Sequence, residues 1–124
     1  MITRLANPSA APNTGSYTPA IKAGDWVIVS GQGPIDRHGR IVSGSMESEV
    51  RLTLENIRQL LETAGARMDQ VVKCTCYLAD INDFAAFDAV YREAFGEAFP
   101  ARTTVQAGLM GIKVEIDAMA YVGP

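Results

Sequence analysis

The residues with the clearest capacity for chemistry are an arginine at 102 and a glutamate at 115. Arg102 follows Phe99-Pro100-Ala101 and precedes the β-branched run 103–105. Pro100 stops a helix and the β-branched residues favour a strand, so Arg102 is predicted at the mouth of a strand, close to a sheet edge. A guanidinium in this position either lies in water or, held rigid, offers a fork of donors to a carboxylate.

Glu115 would supply the second half of a hydrolytic site. It lies early in the last predicted strand, 113–122. If the two C-terminal strands pair as an antiparallel hairpin, Arg102 and Glu115 come near the same end of the sheet. A cation that holds a carboxylate, beside a glutamate that positions or deprotonates water, is the minimum equipment for hydrolysing a small keto-acid derivative. A plain Arg–Glu salt bridge is the alternative interpretation.

The other reactive side chains give weaker signals. Cys74 and Cys76 are two apart on a predicted strand and are expected to be buried thiols on one face. The single histidine, His38, lies in a turn-like run, so neither a metal site nor a Ser-His-Asp triad is indicated. The glycines of Ser30-Gly31-Gln32-Gly33-Pro34 allow close backbone approach to a ligand, although a strand-ending turn is the simpler interpretation. Catalysis is therefore predicted to be non-covalent and metal-free.

Length and composition set the class of protein. The chain has 124 residues, of which 48% are hydrophobic and 20% charged, and this predicts a single domain over residues 1–124. The net charge is −3 and no Lys/Arg run occurs, which argues against nucleic acid as the main partner and disfavours a ribonuclease. Met1 is followed by polar residues and no long apolar run occurs, so a cytoplasmic protein that makes no membrane contact is expected.

Periodicity and turn signals predict the order β-β-β-α-β-α-β-β, an α+β layer with two helices on one face of a sheet. Residues 1–16 are expected to be an irregular arm. The predicted elements are a hairpin of Ala20–Lys22 and Trp26–Ser30, a short strand within Ile35–Val42, a helix between Ser45 and Gly65, a strand at Val71–Leu78, a helix capped by Asp80 or Asn82 and ended by Gly96, a strand after Pro100 and a strand at Lys113–Val122.

One face of the predicted sheet lacks a cover. The alternation in the last strand places Val114 and Ile116 under the helices and Met119 and Tyr121 on the opposite face. One side of the Trp26 strand shares that opposite face, and a single chain has nothing left to cover it. A homo-oligomer whose sheets pack together is expected, with ligand sites in the clefts between subunits. The aromatic stripe of the second helix is interpreted as core.

Five short motifs occur in the order seen in the RidA/YjgF family, the reactive-intermediate enamine/imine deaminases, and the chain resembles that family over nearly its whole length. These motifs are Gly15-Ser16-Tyr17, Val29-Ser30-Gly31-Gln32-Gly33-Pro34, Asn82-Asp83-Phe84, Phe99-Pro100-Ala101-Arg102-Thr103 and Val114-Glu115-Ile116-Asp117-Ala118. The resemblance implies a chorismate-mutase-like α+β fold and a homotrimer whose sheets pack towards a central barrel, with three sites in the subunit clefts. It further implies hydrolysis of 2-aminoacrylate, or its imine tautomer 2-iminopropanoate, to pyruvate and ammonia without a cofactor.

The resemblance also assigns roles to individual residues. Arg102 would clamp the substrate carboxylate with help from the Gly31 N–H, and Glu115 would position the attacking water at the imine carbon. Tyr17 and Ser30 would line the pocket. The partner is then a small-molecule imine or keto acid.

The sequence departs from the family pattern at two points near these residues. Thr104 stands where many members carry a reactive cysteine, and the segment 106–113 is shorter than the usual loop. Since fold alone does not fix function, a non-catalytic metabolite-binding or chaperone-like trimer of the same fold is the alternative.

Overall fold

A six-stranded mixed sheet with two helices packed on one face forms the fold in a computed structural model that describes residues 1–10 and 13–124. The helices are α1 (Met46–Thr63) and α2 (Phe84–Phe95). The strands are β1 (Ile2–Leu5), β2 (Ala20–Ala23), β3 (Trp26–Gln32), β4 (Val71–Leu78), β5 (Ala101–Gln106) and β6 (Val114–Tyr121). Their order across the sheet is β1-β2-β3-β6-β4-β5. The β4–β5 pair is parallel and the other pairs of described strands are antiparallel.

The helix ends agree with the sequence signals. The Ser45 side chain accepts a hydrogen bond from the Ser48 N–H at 3.1 Å and caps α1, while Gly65 and Gly96 close the two helices with φ of 81° and 58°. The predicted capping residue Asp80 instead caps the short 3₁₀ turn that precedes α2. The positions of both helices are thus confirmed within a few residues.

The core lies between the helices and the covered face of the sheet. As predicted, alternate residues of β6 and both thiols of β4 point into it and are at most 3% exposed, namely Val114, Ile116, Ala118, Ala120, Cys74 and Cys76. The buried apolar stripe of α1 packs against these side chains. On α2, Phe87, Tyr91 and Phe95 are buried as expected, but Phe84 is 37% exposed.

A bulge near the start of β4 changes which residue points inward there. Val71 pairs with Ala120 and Lys73 pairs with Met119, so Val72 is an extra residue on β4. Strict alternation back from Cys74 and Cys76 would place Val72 in the core, but the bulge leaves Val72 42% exposed and turns Val71, 4% exposed, inward.

The predicted strand order needs two corrections near the N-terminus. Residues 2–5, expected to be irregular, form β1 because they pair antiparallel with the edge of β2. In place of the strand expected within 35–42, the structure has a single bridge between Ile35 and Ile41. The residues between them form a turn, because Asp36 Oδ1 accepts hydrogen bonds from two backbone N–H groups. Ala11 and Pro12, part of the predicted arm, lie outside the described residues.

The two C-terminal strands are not neighbours, so the predicted β5–β6 hairpin is wrong. β4 lies between them and pairs parallel with β5 on one side and antiparallel with β6 on the other. β4, α2 and β5 form a crossover unit, and a helical crossover returns the chain parallel to the strand it left. β5 is thereby an edge strand, as the position of Arg102 had suggested.

The other face of the sheet carries apolar side chains that no described residue of the chain covers, as predicted. Trp26 and Ile28 are each 42% exposed and Met119 is 36% exposed. Trp26 packs edge-on against Tyr121, with ring centroids 4.9 Å apart. In the part of the chain that the structure describes, no helix has the length and apolar character that crossing a bilayer requires.

Candidate functional site

Arg102 lies under α2, on the helix-covered side of the edge strand β5. It pairs in register with the buried Cys74, and its guanidinium carbon lies over three aromatic rings of α2. The distances to the ring centroids are 4.7 Å for Tyr91, 5.3 Å for Phe84 and 5.5 Å for Phe87. Each ring face attracts a cation, so the guanidinium is held rather than free in solvent.

An ion pair fixes one edge of this guanidinium. Arg102 Nη1 donates to Asp88 Oδ1 at 2.7 Å, and the two side chains are 23% and 25% exposed. The same contact holds the pKa of the Asp88 carboxyl below its usual range, so Asp88 is ionised at neutral pH. Among the described residues this is the one hydrogen bond that the Arg102 side chain makes. The Nη2 and Nε donors of the guanidinium remain for a planar anion.

Both charged groups border a cavity of about 350 Å³. Its remaining walls are formed by Tyr91, Arg92, Phe99 and Pro100. A volume of this size suits a small metabolite. The stretch that begins at Phe99 therefore lines a concave site, and Arg102 lies at its wall.

A second cluster surrounds Glu115 at the junction of β3 and β6. The β3–β6 register shifts between Val29 and Gln32, so Ser30 and Gly31 lie in a bulge. A Cβ atom built at Gly31 would lie 2.7 Å from Glu115 Oε2, which places the carboxylate directly against this backbone. Ser30 Oγ donates to the Thr18 carbonyl at 2.6 Å, and this bond holds the segment with the half-exposed Tyr17 beside β3.

Gly31→Ala is expected to lower kcat for the imine hydrolysis that the sequence resemblance implies by about 10-fold or more. The reason is that the added methyl group must displace the Glu115 carboxylate from its place. Gly31 has no positive φ, so an alanine suits its backbone and stability should change by less than about 1 kcal/mol. Gly108→Ala is the matched control, since no atom of the residues that the structure describes lies within 4 Å of its added Cβ. Steady-state kinetics and thermal unfolding of both variants check this. Equal rates for the two variants would contradict it.

Helix α1 anchors the loops on both sides of this second cluster. Asn56 Nδ2 donates to the carbonyls of Gly33 and Ile35, each at 2.9 Å, and so holds the chain that leaves β3. Glu49, 1% exposed, accepts from the Lys113 backbone N–H at 2.8 Å and from Lys113 Nζ at 3.2 Å. Lys113 directly precedes β6, so the buried carboxylate fixes the start of the strand that carries Glu115.

Glu49→Ala is expected to lower the free energy of unfolding by about 3 kcal/mol, because it removes the buried acceptor of the part-buried Lys113 N–H and opens a void. Glu47→Ala, at an exposed position in the same helical turn, should cost less than about 1 kcal/mol. Denaturant unfolding of both variants measures the difference. Indistinguishable midpoints would show that the Glu49 contacts carry no stability.

The two clusters lie on opposite faces of the sheet within one chain. Glu115 pairs with Tyr77 on β4 and Arg102 pairs with Cys74, a three-residue offset with β4 between them. The two backbones are therefore about 10 Å apart across the strands and about 10 Å along them. Glu115 alternates with the buried Val114 and Ile116 and so faces the uncovered side. One chain thus brings Gly31 and Glu115 together beside Ser30, holds the segment of Tyr17 next to Ser30, and leaves Arg102 at another place.

The thiols near Arg102 are unsuited to covalent chemistry. Burial raises the pKa of Cys74 to about 11 and raises that of Cys76 further, so both thiols stay protonated at neutral pH. Two buried hydroxyls in the same region, Tyr91 Oη and Thr104 Oγ1, have no hydrogen-bond partner among the described residues. No three His, Cys, Asp or Glu side chains in residues 1–10 and 13–124 are grouped so as to hold a metal ion.

Sequence reasoning missed Asp88 and the role of the aromatic rings in holding Arg102. The signal was a charged residue placed within an apolar helical stripe. Asp88 is four residues after Phe84 and three before Tyr91, so all three share one face of α2. A carboxylate on such a face needs a cation, and Arg102 supplies it.

Comparison with known proteins places the chain in a family. The family model described as Endoribonuclease L-PSP matches residues 8–122, and the chain belongs to this family, the YjgF/RidA family. The sequence resemblance and the fold class are thereby confirmed.

Individual relatives agree with this placement. A RutC family protein of Pyrococcus horikoshii is 46% identical over 110 residues, 86% of this chain and 87% of that protein. The 2-iminobutanoate/2-iminopropanoate deaminase of Capra hircus is 38% identical over 128 aligned positions, 100% of this chain and 93% of that protein. The crystal structure of E. coli TdcF with bound serine superposes with a TM-score of 0.88 at 30% identity, covering 96% of this chain and 98% of that chain.

Proposed function

We propose that the protein is a cofactor-independent deaminase that hydrolyses small enamine or imine acids, of the 2-aminoacrylate and 2-iminopropanoate type, to a 2-keto acid and ammonia. The observation that carries this proposal is the Arg102 guanidinium, held on aromatic rings at the wall of a cavity of about 350 Å³ with donors left for a carboxylate. The name of the Capra hircus relative, a 2-iminobutanoate/2-iminopropanoate deaminase, supports the same chemistry.

Arg102 binds the substrate carboxylate and fixes the position of C2. The Nη2 and Nε donors present a fork that matches a carboxylate, and the Gly31 N–H of the second cluster adds a donor. A ligand with a carboxylate and a nitrogen on the adjacent carbon suits such a site. The serine in the TdcF structure has the same two groups.

Glu115 positions a water molecule for attack on C2 of the substrate. Water adds to the iminium carbon, its protons pass to nitrogen, the C–N bond breaks and ammonium leaves with pyruvate as the other product. A carboxylate is a suitable base for the first step and can return the proton to the leaving nitrogen. Tyr17 and Ser30 line the same end of β3 and limit the access of bulk solvent.

The complete site forms between subunits of a homotrimer. Arg102 and Glu115 lie on opposite faces of one sheet, so a substrate that touches both needs them from different copies. The uncovered apolar face at Trp26, Ile28 and Met119 favours such an association. Packing of three sheets around a common axis covers this face and brings an edge strand of one copy towards the Glu115 cluster of the next.

Turnover of enzymatically generated 2-aminoacrylate tests the proposed function. Ammonia and pyruvate should appear faster with the protein than in its absence, in equal amounts. Heat-denatured protein serves as the control for spontaneous hydrolysis. Binding of pyruvate without any acceleration would instead favour the metabolite-binding alternative.

The net charge of −3 favours a small anion held by one arginine over a polyanion such as RNA, and we propose no nucleic-acid or membrane partner. A cytoplasmic location remains a prediction.

A further inference from the structure

The carboxylate of Asp88 sits beside the proposed carboxylate-binding group, and its presence limits which ligands the cavity accepts. Asp88 Oδ1 accepts from Arg102 Nη1 at 2.7 Å, and both residues line the cavity. A ligand carboxylate on the other donors of the same guanidinium therefore lies close to a second negative charge. For a purely anionic ligand this neighbour is repulsive.

Apart from Arg102, the groups around Asp88 do little to offset the negative charge of its carboxylate. Arg92 Nη2 lies 3.4 Å from Asp88 Oδ2, but the Arg92 side chain is 70% exposed and its charge is screened by solvent. Arg102 is thus the main partner of Asp88, and a bound anion would share that partner. A cationic group on the ligand next to its carboxylate would pair with Asp88 and remove the conflict.

We infer that Asp88 is a specificity-determining residue that selects ligands with a positive charge on the carbon next to the carboxylate. The site is then matched to a zwitterion, with Arg102 for the carboxylate and Asp88 for the adjacent nitrogen. This inference rests on the proposed function and deepens it. It assigns the protonated iminium form of the imine acid as the bound substrate, and it makes the keto acid a poorer ligand than the substrate because the product has lost its cation.

Paired stable ligands separate charge from shape. L-alanine and L-lactate share three carbons, a tetrahedral C2 and a carboxylate, and differ in carrying an ammonium or a hydroxyl group on C2. NMR titration of the full chain should show that L-alanine binds about 10-fold more tightly than L-lactate. In Asp88→Asn, which keeps the side-chain shape and removes the charge, this ratio should fall to about 1.

Glu93→Gln provides the matched control. It makes the same change of charge on the same helix, at a residue that pairs with Arg51 at 3.5 Å and lies outside the cavity. Its alanine-to-lactate ratio should equal that of the wild-type protein. A ratio near 1 in the wild-type protein, or a ratio that Asp88→Asn leaves unchanged, would overturn the inference.

Arg102→Ala distinguishes failure of this inference from failure of the proposed function. If both ligands bind the wild-type protein and lose affinity in Arg102→Ala, the result supports Arg102 as the carboxylate-binding group. This conclusion does not depend on the ratio of L-alanine to L-lactate affinity. If neither ligand binds, or if both bind Arg102→Ala as well as the wild-type protein, the proposed site and the role of Asp88 fall together.

Discussion

Arg102→Ala is expected to lower kcat/KM for 2-aminoacrylate-derived imine by about 10³-fold, which corresponds to about 4 kcal/mol. The change removes the cation that would hold the substrate carboxylate and leaves the ionised Asp88 facing the cavity alone. The substrate carboxylate would then have no cation to bind and would lie near the negative charge of Asp88. Pyruvate release under steady-state conditions measures the loss.

Two further arginine variants make this result interpretable. Arg102→Lys keeps the charge but loses the planar fork, so it should recover no more than about 10-fold of the lost activity. Arg51→Ala removes a surface arginine that is 58% exposed and pairs weakly with Glu93, and it should stay within about 3-fold of the wild-type rate. Activity of Arg102→Ala within that same margin would eliminate Arg102 as the carboxylate clamp.

Glu115→Gln is expected to lower kcat by about 10² to 10³-fold while binding of L-alanine changes by less than about 3-fold. The amide has the shape of the carboxylate and can fill the same place against Gly31, but it cannot accept a proton from the attacking water. The separation between kcat and ligand affinity is the distinguishing readout, because a general loss of structure would change both. Single-turnover kinetics and NMR titration give the two quantities.

Asp117→Asn is the control for the glutamate variant. Asp117 lies on the same face of β6, and its Oδ1 accepts from the Thr75 N–H at 3.1 Å, a bond that the amide oxygen of asparagine preserves. This variant removes an equal charge without touching the proposed water site, so its kcat should remain within about 3-fold of wild type. A comparable loss of kcat in both variants would show that the rate depends on the total negative charge of this sheet face and not on Glu115 itself.

Mixing the two inactive proteins tests whether the site is shared between subunits. In trimers formed at random from equal amounts of Arg102→Ala and Glu115→Gln chains, about a quarter of the sites would combine an intact Arg102 with an intact Glu115 from a neighbouring copy. Activity should therefore return to about a quarter of the wild-type value after subunit exchange. Mixtures as inactive as the separate variants would contradict a site that spans two copies.

Local signals in the sequence were sufficient to place most elements and several of the residues that we propose for the site. Ser45 and Gly96 mark helix ends because capping depends on side chains within three residues of the end. The alternation of β6 fixed which residues enter the core, since the side-chain period of a strand is a local property. The stretch around Pro100 placed Arg102 near the start of a strand, because Pro100 ends the helical segment and the β-branched residues after Arg102 favour extended backbone.

The arrangement of strands was not available from those signals. The expected β5–β6 hairpin failed because a strand's partner depends on which crossover packs against the sheet, and here α2 returns β5 to the side of β4. Likewise, the bulge at Val72 changes which side chains at the start of β4 point into the core, and nothing in the alternating sequence marks the bulge.

Taken alone, the sequence determined the types of element, their ends, the buried thiols and the two residues proposed for chemistry, because each of these follows from neighbours along the chain. Only the tertiary structure decided that Arg102 pairs with Asp88, that three rings of α2 hold its guanidinium, and that Glu115 lies on the opposite face against Gly31. These contacts join residues from different elements. Their geometry depends on strand order, which is set by how the helices and the sheet pack together and by no local pattern.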